Sequence, residues 1–186
     1  DIATAPNAAN IVYYATVSSI YKSTDAGYSF EPLPPSPGGA GSNNITIASL
    51  DIARLDNSSV IAVATRDADN SQFGGIYILY EKELIPKWLD TRLGNYDACA
   101  VAFSPNYVAD RQLVAVVADD NNTLVVSRIG DSDWGKIIGN ATIEGLSARE
   151  AAIAFPDDYD MTAGSCALFV AIGTGSDKGD VYRINK

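Results

Sequence analysis

One pattern recurs four times along this chain, at intervals of about fifty residues. Each copy opens with an aliphatic residue next to an alanine, and the alanines Ala3, Ala53, Ala102 and Ala154 are 50, 49 and 52 residues apart. A turn set of Pro, Asn or Asp follows each opening within four residues, and a second apolar run comes after the turn. Such a repeat strongly constrains the fold, because each unit must bury its apolar side against its neighbours.

The runs inside each repeat predict short strands, and no stretch longer than a turn has helical periodicity. The second runs are rich in β-branched residues and Ala, typical of strands buried on both faces, and span 11–16, 60–65, 113–118 and 167–172. The third runs alternate apolar and polar residues, which predicts half-exposed strands at 19–22, 75–78, 123–126 and 180–183. Three of them place a tyrosine at what the spacing indicates is one repeat position: Tyr21, Tyr77 and Tyr182. A fourth run opens with an aromatic residue in three repeats: Phe30, Trp88 and Trp134.

Four strands in about fifty residues match the length and strand count of one β-propeller blade. We therefore predict an all-β chain, a partial or small propeller of about four blades, each a four-stranded antiparallel sheet. The predicted blades are residues 1–45, 46–95, 96–146 and 147–186, and the last is incomplete because its fourth run is missing. The turn-rich segment 34–44 is predicted to be the longest flexible connection. A β-sandwich with similar strands is the alternative, and the fixed spacing of the aromatic positions favours blades.

The most specific motif spans residues 23–30 and has the form Ser/Thr-x-Asp-x-Gly-x-Ser/Thr-aromatic, known as an Asp-box. Its defining residues are Ser23, Asp25, Gly27, Ser29 and Phe30. We expect Asp25 to accept hydrogen bonds from turn amides, Gly27 to adopt a positive φ and the two serines to join the strand ends. Phe30 is expected to turn inward onto the apolar layer of the blade. Weaker versions of the motif lie at 80–88 and 127–134.

With this motif and its place in the repeat, the chain resembles the BNR/Asp-box β-propeller superfamily, which includes sialidases, sortilin-type receptors and many cell-surface proteins. Residues 101–115 are similar to the common opening of those repeats, and the resemblance covers essentially the whole chain. It implies a structural turn rather than a catalytic site. A sialidase would also have a cluster of three arginines and an Arg-Ile-Pro segment. Here Leu84 stands where that arginine would be, so this activity is in doubt.

Composition excludes several functional classes. Thirteen basic residues against 23 acidic ones give a net charge of −10, which disfavours nucleic acid as a partner. The chain has no histidine, so Ser-His-Asp and Cys-His catalysis are excluded. Apolar runs of about six residues are too short to insert into a membrane. Without an initiator Met or a leader, Asp1 is interpreted as a processed N-terminus or as the start of a fragment.

Candidate modification and metal sites are few. Four Asn-X-Ser/Thr sequons are candidate glycosylation sites, in segments predicted to be loops or strand edges: Asn44, Asn57, Asn121 and Asn140. Cys99 and Cys166 allow one disulfide, with two free buried thiols as the alternative. Asp67 and Asp69 form a weak calcium candidate, with a plain loop as the alternative, because the glycine and glutamate of an EF-hand are missing. No other cofactor is expected.

Acidic clusters and loop tyrosines offer weaker signals of chemistry. Paired carboxylates can perform glycoside hydrolysis, and such pairs occur at 119–120, 131–133 and 157–160. Their flanking Asn, Gly and Pro residues favour solvated turn caps instead. Tyr107 and Tyr159 fall in predicted loops, where they would be available for contacts. The tyrosines that recur in the third runs are interpreted as packing residues.

These observations predict a non-enzymatic extracellular or cell-surface propeller that serves as a scaffold for binding or assembly. Its expected partners are other protein chains or further blades of a larger propeller, with carbohydrate as a candidate ligand. The alternative is part of a secreted carbohydrate-active enzyme whose catalytic residues lie partly outside this chain. The unpaired edge of the last blade fits a piece of a larger ring, a small ring of four blades, or a strand donated by another chain.

Overall fold

Four antiparallel sheets follow one another along the chain in the computed structural model, which describes residues 1–69, 71–135, 141–163, 166–175 and 179–185. Within each sheet the strands lie side by side in chain order, so each sheet is a meander. Three sheets have four strands, and the described residues of the last sheet form three. The prediction of an all-β chain of about four blades, the last incomplete, is confirmed.

In each of the three four-stranded sheets the fourth, outermost strand is the shortest. Sheet one contains β1 (Ile2–Thr4), β2 (Val12–Ala15), β3 (Ile20–Ser23) and β4 (Glu31–Pro32). Sheet two contains β5 (Ile45–Leu55), β6 (Ser58–Asp67), β7 (Gly75–Tyr80) and β8 (Leu89–Asp90). Sheet three contains β9 (Asp97–Phe103), β10 (Gln112–Ala118), β11 (Asn122–Ile129) and β12 (Ala141–Glu144). Sheet four contains β13 (Glu150–Ala154), β14 (Ala167–Gly173) and β15 (Gly179–Asn185).

Helix is confined to two single turns in the described residues, a 3-10 turn at Pro37–Gly39 and α1 at Tyr107–Asp110. The segment 34–44 around the first turn, predicted to be a flexible connection, is packed at its centre and exposed at 41–44. Pro37 and Ala40 are buried, and Gly38 has a φ of 60° beneath the ring of Tyr77. A Cβ at Gly38 would lie 2.1 Å from that ring, so only glycine fits there. No described helix is long and apolar enough to span a membrane.

Strand register defines two faces on every sheet, because successive side chains of a strand point to opposite sides. We call the first the preceding face, since in sheets two to four it packs on the sheet before it in the chain. Its central row consists of Ile2, Tyr14 and Tyr21 in sheet one; Ile52, Ile61 and Leu79 in sheet two; Val101, Ala115 and Val126 in sheet three; and Ile153, Val170 and Tyr182 in sheet four. Leu79 thus occupies the position of Tyr21 and Tyr182, and the predicted equivalence of Tyr77 is wrong by two residues.

The opposite side is the following face, which in sheets one to three packs on the next sheet. Its central row consists of Ala3, Tyr13 and Lys22 in sheet one; Ala53, Val60 and Tyr80 in sheet two; Ala102, Val114 and Ser127 in sheet three; and Ala154, Phe169 and Arg183 in sheet four. The anchoring alanines of the repeat therefore all lie on one face. Small residues on the inner strand allow neighbouring sheets to approach closely near the centre of the arc.

Three hydrophobic clusters hold the sheets together, one at each junction between neighbours. Sheets one and two share the cluster that includes Tyr13, Ile20, Ile52, Ile61 and Leu79. Sheets two and three share Val60, Ile76, Val101, Phe103 and Leu113, among others. Sheets three and four share Val114, Val116, Leu168, Val170 and Ile184, among others. Burial of such a side chain stabilises the fold by about 1.5–3 kcal/mol, so the junctions dominate the stability of the stack.

The four sheets form an open arc rather than a closed ring of four blades. No hydrophobic cluster within the described residues joins sheet four to sheet one. Ile2 on the preceding face of sheet one is 69% exposed, and Phe169 on the following face of sheet four is 41% exposed. The inner strands β5, β9 and β13, together with Asp1, line a central cavity of about 550 Å³. The small four-bladed ring considered from the sequence is therefore not formed.

Candidate functional site

The Asp-box turn of sheet one is closed by a network of hydrogen bonds. The buried Ser23 hydroxyl accepts hydrogen bonds from the amides of Gly27 (2.8 Å) and Asp25 (3.2 Å) and donates one to the Asp25 carboxylate (2.7 Å). Asp25 also accepts hydrogen bonds from the Ser29 amide (2.9 Å) and hydroxyl (2.6 Å). The bonds from Ser29 and Ser23 hold the pKa of Asp25 at about 2. Gly27 has a φ of 91°, which only glycine adopts readily.

The aromatic end of the motif differs from its expected position. Phe30 does not turn into the core but lies on the preceding face of sheet one, where its ring meets Tyr14 edge-on at 4.9 Å. Trp88 directly precedes β8, as Phe30 precedes β4, and its indole N–H donates to the Pro34 carbonyl at 2.8 Å. Trp134 lies seven residues before β12 and binds Thr91 instead. The hydrogen bonds described above for the Ser23, Asp25 and Ser29 side chains are all made within the turn, as in a structural motif.

Both cysteines are free thiols buried at the junction of sheets three and four. The structure thus contains the second of the two arrangements that the sequence left open. Cys99 donates a weak hydrogen bond to the Ala148 carbonyl at 3.3 Å, and burial raises the pKa of its thiol to about 11. A thiol with a raised pKa is a poor nucleophile at neutral pH, so Cys99 acts as a small apolar residue.

The three sequon asparagines in the described residues are exposed. Asn57 lies in the turn between β5 and β6, and Asn121 lies in the turn between β10 and β11. Asn44 is also exposed, but its side-chain amide donates a hydrogen bond to the Asp69 carboxylate at 2.5 Å. Asn140 lies outside the described residues. Attachment of a glycan at Asn44 would replace that amide contact, whereas Asn57 and Asn121 are exposed residues of turns.

The loop carrying Asp67 and Asp69 is closed by its own hydrogen bonds. The buried Asp67 carboxylate accepts bonds from the amides of Asp69 (3.0 Å) and Gln72 (2.5 Å) and from the Ser71 hydroxyl (3.2 Å). These bonds, the Asp69 amide first, lower the pKa of Asp67. No group of three or more metal-ligating side chains occurs among the residues the structure describes. The geometry favours the plain loop over the calcium interpretation, because the oxygens of Asp67 already bind protein donors.

The acidic clusters mostly cap turns. Asp119 accepts hydrogen bonds from the amides of Asn121 and Asn122, at 2.8 and 2.7 Å, and Asp160 binds the amide and hydroxyl of Thr162. Asp131 faces the Arg128 guanidinium at 3.4 Å. These contacts agree with turn caps and do not place two free carboxylates around one substrate position.

The two loop tyrosines are packed rather than available, contrary to the prediction. Tyr107 meets Phe103 edge-on at 4.5 Å, and Tyr159 meets Phe155 in the same way at 4.6 Å. Both are 6% exposed, and burial raises the pKa of each phenol above its usual range. The Tyr159 hydroxyl donates to the side-chain Oε1 of Gln112 at 2.7 Å. An aromatic pair four residues apart therefore packs the turn that follows the inner strand in sheets three and four.

A polar cleft of about 230 Å³ lies where sheets two, three and four meet, on the side of the sheets where β6 and β10 end. Its groups come from the end of β6, the β6–β7 loop, the β10–β11 turn and the segment before β13. The lining side chains that carry polar or aromatic groups are Arg66, Gln72, Phe73, Asp97, Asp119, Asp120, Ser147 and Arg149. The sequence shows them only as scattered residues, because Arg66 and Arg149 are 83 positions apart.

Hydrogen bonds between neighbouring sheets and loops fix the walls of this cleft. Arg66 donates to the Arg149 carbonyl at 2.6 Å, and Ser147 donates to the Asp119 carbonyl at 2.6 Å. Asp97 accepts the amides of Asp67 and Gly74. The Nε of Arg66 is buried and has no hydrogen-bond partner among the described residues. A buried donor without a partner costs about 1–3 kcal/mol, which an acceptor on a ligand would recover.

The central cavity is lined by three acidic residues: Asp1 at the N-terminus, Asp51 of β5 and Glu150 of β13. Asp51 accepts a hydrogen bond from the Phe103 amide at 2.7 Å across the junction of sheets two and three. Burial raises the pKa of Asp51 to about 6, although this hydrogen bond opposes the shift. A carboxyl whose pKa is raised to about 6 keeps a protonated fraction close to neutral pH and can act as a general acid. The sequence signal for this residue is the tripeptide Asp-Ile-Ala, which occurs at both 1–3 and 51–53.

Comparison with known proteins supports the fold. No protein-family model matches the chain, and no curated protein matches it. Among solved structures, the chain is similar to an ancestral GH74 enzyme, a β-propeller glycoside hydrolase, with a TM-score of 0.50 and 14% sequence identity. The match covers 98% of this chain and 30% of the enzyme, so this chain spans less than a third of that protein. At this identity the two share a propeller fold and nothing finer.

Proposed function

We propose that this chain is a non-enzymatic β-propeller module that binds carbohydrate in the polar cleft between sheets two, three and four. The observation that carries the proposal is the buried, unpartnered Nε of Arg66 in a cleft whose lining is mostly polar. A ligand with acceptor oxygens would satisfy this donor. The proposal keeps binding as the main role and gives it a location.

The mixture of groups in the cleft suits a sugar. Hydroxyl groups donate and accept, and the cleft offers donors from Arg66 and Arg149 beside carboxylate acceptors from Asp119 and Asp120. Phe73 stands at the rim with 41% of its surface exposed, and its ring can cover the apolar side of a pyranose. A cleft of about 230 Å³ admits one sugar residue rather than a long stretch of polysaccharide.

The test is binding to immobilised neutral and acidic oligosaccharides, followed by titration calorimetry with each sugar that is retained. We expect Arg66→Met and Phe73→Ala each to weaken binding at least about tenfold, which corresponds to about 1.4 kcal/mol. Arg183→Met, on an exposed arginine of sheet four, is the matched control and should leave affinity unchanged. Thermal unfolding would verify that every variant is folded. Retention of no sugar, or equal affinity in the Arg66 variant, contradicts the proposal.

Glycoside hydrolysis is the second candidate function, and two observations favour it. The carboxyl of Asp51 has a pKa raised to about 6 and faces a cavity of about 550 Å³ that Glu150 also lines. The similar solved structure is a GH74 enzyme. Turnover of a panel of aryl glycosides and polysaccharides that disappears in Asp51→Asn would replace the binding proposal with this one. Absence of turnover in the parent chain would leave binding as the function.

We also propose that the chain belongs to the BNR/Asp-box propellers and works outside the cell. The closed turn formed by Ser23, Asp25 and Ser29 supports the first statement. The exposed sequons at Asn57 and Asn121 support the second. Secretion from a eukaryotic cell, with a mass loss after peptide-N-glycosidase treatment that Asn57→Gln and Asn121→Gln reduce, is the expected result. A secreted product without glycan would remove this support.

A further inference from the structure

The junction of sheets one and two lacks a tyrosine that fills the other two junctions. After the inner strand of sheet three, Tyr107 packs into the cluster shared with sheet two, and Tyr159 packs in the same way between sheets four and three. The corresponding turn of sheet two, between β5 and β6, consists only of Asp56 and Asn57. Sheet two therefore has no aromatic side chain in this turn to pack against sheet one.

The positions beside the anchoring alanines change at the same junction. In sheets three and four they hold a phenylalanine on the inner strand side and a leucine on the second strand: Phe103 with Leu113, and Phe155 with Leu168. At the same register positions of sheet two, Arg54 pairs with Ser59. A part of the junction that is apolar elsewhere is thus polar between sheets one and two.

A pocket of about 430 Å³ lies in the place of the missing tyrosine, and we call it the junction pocket. Ile11 lines it and lies two residues before Tyr13, just as Gln112 lies two residues before Val114, which shares the register position of Tyr13. Gln112 is the residue that the Tyr159 hydroxyl contacts between sheets three and four. The volume is within the range of about 300–1,000 Å³ that is typical of small-molecule sites.

The lining of the junction pocket combines apolar surface with a buried hydroxyl group. Leu33, Pro34 and Leu79 contribute the apolar surface. Ser59 is 2% exposed, and its hydroxyl lies beside the Tyr13 phenol without a well-directed hydrogen-bond partner among the described residues. A buried hydroxyl without a partner is costly, so a polar group of a ligand placed beside it would be stabilising.

The junction pocket also carries a positive charge without a counterion from the protein. Lys22 and Glu81 both line it and neutralise each other, with 2.7 Å between the ammonium and the carboxylate. Arg54 donates a hydrogen bond to the Asn57 carbonyl but forms no ion pair among the residues that the structure describes. A guanidinium binds a carboxylate through two parallel hydrogen bonds, so Arg54 suits an anionic group on a ligand.

We propose that the junction pocket binds a small aromatic carboxylate. The ring lies in the space that Tyr107 and Tyr159 fill at the other two junctions, and the carboxylate binds the Arg54 guanidinium. The junction pocket lies where β6 begins, whereas the polar cleft lies where β6 ends. The two sites are therefore separate, and this inference does not depend on the proposed function.

The test is titration calorimetry of the 186-residue chain with 4-hydroxyphenylacetate, which carries the ring of tyrosine and a carboxylate. We expect a dissociation constant below about 1 mM. Arg54→Met should weaken binding at least about tenfold, because it removes the charge and keeps the aliphatic stem. Arg183→Met, on an exposed arginine of sheet four, is the matched control and should leave the affinity unchanged.

Two further ligands separate the contributions of the charge and the ring. The amide 4-hydroxyphenylacetamide lacks the charge and acetate lacks the ring, and each should bind at least about tenfold more weakly than 4-hydroxyphenylacetate. Arg54→Lys restores the charge without the paired donors, and should recover part of the affinity that Arg54→Met loses.

A double variant fills the pocket with the residues that the other junctions use. Arg54→Phe with Ser59→Leu should abolish binding and leave the unfolding temperature no lower than that of the parent chain, because apolar packing replaces the polar pair. Circular dichroism verifies folding, and the Met and Lys variants of Arg54 decide the question if the double variant does not fold. No binding by the parent chain, equal affinity for the amide, or full affinity in Arg54→Met would overturn the proposal.

Discussion

The tripeptide Asp-Ile-Ala occurs at the start of the chain, where β1 begins, and again inside β5, and the two copies have different surroundings. Ile2 is 69% exposed, whereas Ile52 at the same register position is 4% exposed. Asp51 is buried enough for its pKa to rise to about 6, while Asp1 lies at the surface. Sheet one covers Ile52, whereas no described sheet packs on Ile2. Asp51 lies on the opposite face and is buried at the junction with sheet three, where it accepts the Phe103 amide.

This difference shows that position in the stack, rather than local sequence, decides what an inner-strand residue contributes. When a sheet is covered on both sides, an aliphatic side chain on its inner strand becomes a core residue. A carboxyl that is buried in the same way has its pKa raised toward neutral pH. Pairs of matched substitutions at equivalent positions can test this conclusion directly, with one member inside the arc and the other at its open end.

The largest effect is expected for isoleucine at the two equivalent positions. Ile52→Ala removes a buried side chain from the junction of sheets one and two, and we expect the free energy of unfolding to fall by about 2–5 kcal/mol. Ile2→Ala should cost less than about 0.5 kcal/mol in monomeric chain, because the side chain is largely solvated. Urea denaturation at low protein concentration measures both. Equal losses would show that Ile2 is as well packed as Ile52.

A smaller effect of opposite sign is expected for the neighbouring carboxylates. Because the pKa of Asp51 is raised from 3.8 to about 6, the folded state binds more protons than the unfolded state between these values. Stability therefore falls as pH rises from about 4 to 6, and the loss is complete above pH 6. Asp51→Asn should raise the free energy of unfolding at pH 7 by about 1–3 kcal/mol and flatten this pH dependence. A steeper profile in the Asp51 variant would contradict the assignment.

The third comparison is between the buried and the exposed end of the Asp-box turn in sheet one. Ser23 is 1% exposed and accepts the amides of Asp25 and Gly27, so Ser23→Ala leaves two donors without this partner. We expect a loss of about 1–2 kcal/mol in urea denaturation. Ser29→Ala, at the exposed end of the same turn, should cost less than Ser23→Ala. The reverse order would mean that the turn is held from its exposed end.

The smallest effect is expected for the cations on the following face. Lys22 and Arg183 share a register position, but the Lys22 ammonium binds Glu81 of sheet two at 2.7 Å, whereas Arg183 is exposed. Lys22→Met should destabilise the chain by about 0.5–1 kcal/mol, an effect that high salt reduces. Arg183→Met should change little. A salt-independent loss for Lys22 would indicate that its aliphatic stem, rather than its charge, supports the junction.

The repeat predicted the strands well because its apolar runs are the segments that are buried in each sheet. The second runs became β2, β6, β10 and β14, and the third runs became β3, β7, β11 and β15. The spacing predicted that Tyr77 is equivalent to Tyr21 and Tyr182, but the strand register places Leu79 at that position. Trp134 was expected to open a strand and instead binds Thr91. Both errors arise because a fixed count of residues cannot include the different loop lengths of each blade.

The candidate sites were predicted less well, for a physical reason that separates them from the Asp-box. The Asp-box connects residues within eight positions, so its hydrogen bonds can be predicted from consecutive residues of the sequence. The polar cleft joins Arg66 to Arg149 from different sheets, and no local pattern records that proximity. Tyr107 and Tyr159 were expected to be available for contacts, but the turns after β9 and β13 fold them onto Phe103 and Phe155.

The sequence by itself determined the strands, the division into four sheets and the Asp-box turn, because these follow from alternation, repeat length and contacts between near neighbours. The tertiary structure decided which faces are covered, which carboxyl is desolvated and where the arginines meet. Those properties depend on the packing of one sheet on the next, and two identical tripeptides acquire different environments from it. The packing also leaves apolar faces exposed at both ends of the arc, which no count of strands along the chain could reveal.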